Sequence, residues 1–191
     1  LYMVSPFMDN VNLVEFLRLS KYDITGDTLV TLLYEVIQGI EYLHSEGVIH
    51  GDIKGINILI DDEGHPLLTD FGLTFLHAAQ RDPDSPAGTV RWMAPELMGG
   101  ADLTFASDIY SFGCVCIEVY TGKPPFYELR NNMVVMLHVC EGKRPPQPPR
   151  MPKDVWALVN RCWDQQSDLR PSAQEVCREL ARIVGGCDTI R

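Results

Sequence analysis

Leu29, Leu32, Leu33, Val36, Ile37, Ile40 and Leu43 recur three and four positions apart, which predicts one apolar stripe on a long helix that Asp27 opens and Gly47 closes. The same spacing predicts a short helix over 13–19 and further helices over 107–120, ending at Gly122, and over 132–141, 155–163 and 172–184. Between these, 48–60 alternates short apolar runs with polar residues. Asp61-Asp62-Glu63-Gly64 reads as a turn joining two small strands, 58–60 and 67–69. Residues 2–5 read as a strand and 6–12 as a turn-rich connector. From 72 to 88 the chain is polar, carries Pro83 and Pro86 and has no period, as a loop does, while Pro145, Pro146, Pro148 and Pro149 make a stiff connector. There is no internal repeat.

At 191 residues the chain has the length of one ordinary domain, enough to bury roughly 70% of the surface exposed when unfolded. Sixteen Lys and Arg stand against twenty-six Asp and Glu, a formal net charge of −10, which argues against the broad basic face that nucleic acid or an anionic membrane requires. No apolar run approaches the 18 or so residues of a membrane span, and no charged-then-apolar leader is visible. Leu1 in place of Met suggests a fragment or a processed chain. The six cysteines show no Cys-x-x-Cys, and no His pair has metal spacing, so zinc is not expected and a reduced, intracellular setting fits. Cys114 and Cys116 lie two apart in an apolar helical pattern, on different faces, and read as packed thiols.

The chemistry sits between the helices. His50-Gly51-Asp52-Ile53-Lys54-Gly55-Ile56-Asn57 is followed by Asp70-Phe71-Gly72 and then by Gly88-Thr89-Val90-Arg91-Trp92-Met93-Ala94-Pro95-Glu96. Singly, an Asp in a loop caps or turns and a surface Lys is solvated. Together and in this order, the three resemble the catalytic loop, the metal-binding turn and the end of the activation segment of a eukaryotic protein kinase. The fold this implies is α+β, a mainly helical C-terminal lobe with short β-hairpins at the catalytic cleft. Residues 1–12 would be the last strand of the N-terminal lobe and the hinge, 13–191 the C-terminal lobe, and the N-terminal lobe is expected to lie outside this chain.

The resemblance implies ATP and Mg²⁺ as cofactors, a protein substrate and a cytoplasmic location. Asp70 would chelate Mg²⁺ on the ATP phosphates, and Asn57 would hold a second metal through its amide oxygen. Asp52 would orient the substrate hydroxyl and take its proton late. Lys54 would set a positive charge beside the γ-phosphate, and Thr89 would position substrate beside both. By the same resemblance Ser5 would fall at the gatekeeper slot, the backbone of Pro6, Phe7 and Met8 would face adenine, Leu59 would lie under the ring and Glu15 would reach the ribose. Asp108 would tether the catalytic-loop backbone, and Glu96 would pair with Arg170. Lys54 resembles serine/threonine kinases and the 91–96 segment resembles tyrosine kinases, a mixture that points to the tyrosine-kinase-like group and to Ser or Thr as acceptor.

Two departures stand out. Gly51 replaces the Arg with which many kinases grip a phosphorylated activation loop, so switching through Thr74 or Ser85 is expected to be lost. No Gly-x-Gly-x-x-Gly loop and no upstream strand Lys occur, so the chain by itself is expected to be a poor catalyst. A non-catalytic kinase-like binding module is the alternative reading. The intact Asp52, Asn57 and Asp70 favour the enzyme.

Overall fold

The computed structural model describes residues 11–19, 24–71 and 89–187. The expected 2–5 strand, the hinge residues Ser5, Pro6, Phe7 and Met8, and the 72–88 loop lie outside the described residues.

Helix α1, Leu13–Leu19, buries Leu13 and occupies the range its periodicity predicts. Helix α2 spans Gly26–Ser45 and starts one residue ahead of Asp27, because the hydroxyl of Thr25 accepts the Thr28 N–H at 3.2 Å and caps the first turn. Its predicted stripe is buried from Leu29 through Leu43, and Gly47 turns the chain away at φ +74°. Strands β1, Ile58–Ile60, and β2, Pro66–Leu68, pair antiparallel with Ile58 opposite Leu68 and Leu59 opposite Leu67. The second strand begins one residue earlier than expected, since Asp61 Oδ1 draws in the Glu63 and His65 N–H groups at 2.9 and 2.8 Å and closes the turn by His65. Asn12 bridges to Leu59 and seats α1 beside the hairpin.

Helix α3, Pro95–Met98, has only four residues and too little sequence for a period. Helix α4, Phe105–Thr121, is the centre of the molecule, buried at every position from Ser107 to Tyr120. It opens two residues before the expected start at 107, because Thr104 and Ser107 cap each other's N–H groups reciprocally. It closes where Gly122 takes the left-handed conformation, φ +65°. Helices α5, Asn132–Cys140, α6, Lys153–Cys162, and α7, Ala173–Cys187, complete the lobe. The α4 helix packs on α2 and α6, and α7 lies along α2. The core is continuous from Leu13 through Leu180 and includes the free thiols of Cys114, Cys116 and Cys162, as packed cysteines should be. Among the described residues the body is mostly helical with one small sheet, the α+β class expected. Among the described residues, no helix is long and apolar enough to cross a membrane.

Candidate active site

The loop from His50 to Asn57 has little regular structure, so its backbone donors must be satisfied from elsewhere. Asp108, on the first turns of α4 and 1% exposed, does this: its two carboxylate oxygens accept the His50 and Gly51 N–H groups, each at 2.8 Å. His44 on α2 holds the same carboxylate at 2.9 Å. Gly51 sits at φ +77°, a conformation that glycine reaches without penalty and a side chain does not. Burial lowers the His50 imidazole from its ordinary value, opposed by the carboxylates of Asp108 and Asp52.

Four of the candidate residues meet. Asn57, 6% exposed, donates its side-chain amide to the Asp52 backbone oxygen and to Asp52 Oδ2, both at 2.8 Å. Lys54 Nζ lies 2.7 Å from Asp52 Oδ2 and donates to Thr89 Oγ1 at 3.0 Å. One ammonium group therefore spans the loop carboxylate and a hydroxyl 35 positions further on.

Asp70 follows β2 at φ +60°, an uncommon backbone for a residue other than glycine, and its side chain is exposed. The Thr69 N–H donates to the Asn57 backbone oxygen at 3.0 Å, which brings the chain at Asp70 alongside Asn57. Because both Asn57 N–H contacts are directed at Asp52, the amide oxygen is the atom left for a cation. With the Asp70 carboxylate it would offer the hard, all-oxygen donors that suit Mg²⁺ bound jointly with phosphate. Among the described residues, no three His, Cys, Asp or Glu side chains gather as a metal cluster. Leu59 is half-buried on β1, and Glu15 on α1 is engaged at 2.9 Å with Arg18 in a partly exposed pair, apart from the four that meet.

The segment after Thr89 is held at every step. The Arg91 guanidinium donates to the carbonyls of Pro125, Phe126 and Leu129 at 2.9, 2.6 and 2.6 Å. Ser111 donates its hydroxyl to the Trp92 carbonyl at 2.8 Å, and Arg170 binds Glu96 through both nitrogens, each at 2.7 Å. One residue that motif reading missed is Glu118. It is 2% exposed, accepts the Gly55 N–H at 2.9 Å and the Trp92 indole N–H at 3.0 Å, and burial pushes its carboxyl up to about 7 against those two bonds. A lone acid within the apolar run 114–119 was the signal for it.

A family model described as protein tyrosine and serine/threonine kinase matches residues 1–180. The chain is 36% identical over 176 residues to MAP3K epsilon protein kinase 1 of Brassica napus, covering 91% of this chain and 14% of that protein. It is 32% identical over 181 residues to serine/threonine/tyrosine-protein kinase HT1 of Arabidopsis thaliana, covering 94% of this chain and 46% of that one. A putative serine/threonine-protein kinase/receptor of Acanthamoeba polyphaga mimivirus is 36% identical over 183 residues, 95% of this chain and 11% of its own length. The chain thus spans less than half the length of these relatives. A tethered loop with Asp52, Lys54 and Asn57, an Asp70-Phe71 turn and a Glu96 to Arg170 pair agree with that match, and the chain belongs to the protein tyrosine and serine/threonine kinase family.

Proposed function

We propose that this chain is the catalytic half of a protein serine/threonine kinase that transfers the ATP γ-phosphate to Ser or Thr hydroxyls of a protein substrate. The observation that supports it most is the position of Lys54, 2.7 Å from Asp52 and 3.0 Å from Thr89. An acceptor hydroxyl beside Asp52 donates its hydrogen bond to the carboxylate. Its oxygen attacks the γ-phosphorus, the bond from that phosphorus to the β-bridging oxygen breaks, ADP leaves, and the proton passes to Asp52. Lys54 offsets charge on the transferring group, and Thr89 aligns the acceptor. Mg²⁺, held by Asn57 and Asp70, would supply charge neutralisation on the phosphates.

In this reading residues 1–12 form the last strand of the N-terminal lobe and the hinge, with Ser5, Pro6, Phe7, Met8, Glu15 and Leu59 around the nucleotide, and the protein works in the cytoplasm. The protein isolated from its own cells is the material for the test. Mg²⁺-dependent transfer of phosphate from ATP to a generic protein substrate, lost on Asp52→Asn, is the expected result. A folded, pure protein with no transfer would leave a non-catalytic binding module as the better account, and transfer that survives Asp52→Asn would overturn the role given to Asp52.

A further inference from the structure

Behind the cleft, a second link joins the two segments that Lys54 and Thr89 join in front. Gly55, next to Lys54, and Trp92, at the end of the turn that Thr89 opens, donate to the same oxygen, Glu118 Oε2. The fit is close on all sides. A Cβ at position 55 would stand 2.7 Å from that oxygen and 2.8 Å from Val14 Cγ2, so a side chain there would force α1, α4 and the loop apart. A buried carboxylate is costly, and replacing such groups by apolar ones is often neutral or stabilising for a fold. Its value is therefore sought in what it aligns.

We propose that Glu118 is a positioning residue that sets the separation of Lys54 from Thr89 by receiving Gly55 and Trp92 on one oxygen. The catalytic loop and the substrate-facing segment then move as one unit. The catalytic consequence rests on the kinase reading above; the bridge itself does not. A displacement of about an ångström at reacting groups is enough to cost on the order of a hundredfold in rate.

The experiment has a spectral arm and a kinetic arm, both on the full-length protein. In ¹H–¹⁵N spectra, Trp92→Phe keeps a ring but removes one donor, and the Gly55 amide resonance is expected to shift while that of Gly51, held by Asp108, stays. Glu118→Leu is expected to lower kcat for protein phosphorylation at least tenfold with the KM for ATP changed less than about twofold. Glu118→Gln, which keeps an oxygen for both donors, is expected to recover most of it. An unmoved Gly55 amide in Trp92→Phe overturns the bridge, and a folded Glu118→Leu with unchanged kcat overturns the positioning role. Should the protein transfer no phosphate at all, the kinase reading fails alone and the Gly55 resonance still decides the bridge.

Discussion

Arg170 and Glu96 meet as a two-pronged pair, Nη1 on Oε1 and Nη2 on Oε2, with the arginine side chain fully buried and the carboxylate 22% exposed. The same guanidinium donates to the Asp164 and Ala106 carbonyls at 2.9 Å each and lies over the Tyr110 ring. One side chain thus fastens α3 to the start of α4 and to the turn before α7. Burial works to raise the Glu96 carboxyl, and the Arg170 hydrogen bonds, a backbone hydrogen bond and the Arg170 and Arg144 charges together outweigh it, so the group stays below its ordinary value and is charged at neutral pH.

Glu96→Ala leaves the Arg170 charge buried without its anion, and we expect a loss of about 3–5 kcal/mol in urea unfolding. Glu96→Gln, which can still accept, should cost less. Equal losses from the two would show that packing, and not charge, dominates at this position.

Lys54 and Thr89 should act as a unit. Lys54→Met is expected to reduce kcat about a hundredfold or more, in line with the removal of a group that stabilises transition-state charge. Adding Thr89→Ala should then lower it by much less than Thr89→Ala does alone. Strict additivity in that cycle would mean that the 3.0 Å contact carries no function.

Glu118 gives the stability of the fold a pH dependence of unusual sign. Its carboxyl is raised by burial from 4.5 to about 7, so the folded state binds the proton more tightly than the unfolded chain does. That contribution is complete below about pH 4.5 and is lost as the pH climbs through about 7. Relative to wild type, Glu118→Gln should therefore gain about 2–3 kcal/mol on going from pH 5 to pH 8. A stability difference that is flat over this range would contradict it.

The architecture was largely legible because α2 and α4 carry long apolar patterns, and the joint loop, turn and segment motifs pointed to Asp52, Lys54, Asn57 and Thr89, which the fold brings together. Helix starts were misplaced where a hydroxyl cap, Thr25 or Thr104, sets the first turn one or two residues ahead of the expected start. Helix α3 left no trace, as four residues behind a proline make one turn and no period. The links from Gly55 to Glu118 and from His44 to Asp108 join residues 63 and 64 positions apart, and nothing local in a sequence specifies such a meeting.

Gly51 should resist restoration of an arginine. Its φ of +77° would cost a side chain about 1–2 kcal/mol, so Gly51→Arg is expected to be less stable by that amount in thermal or urea unfolding. Replacing Thr74 or Ser85 by Ala should leave activity in place in the natural protein. A requirement for phosphate at either position would show that another basic group does the gripping.

The tether from Asp108 to His50 and Gly51 closes across 58 and 57 positions, and the Glu118 tether to Gly55 across 63. Closing contacts this distant in sequence costs chain entropy before the contacts repay it, which favours local elements forming first. A nascent or partly unfolded polypeptide with α2 and the hairpin in place but α4 undocked would hold every motif residue and no assembled site. In the proposed kinase, competence for chemistry would in this way wait until the centre of the lobe has condensed, a quality check that belongs to the order of assembly.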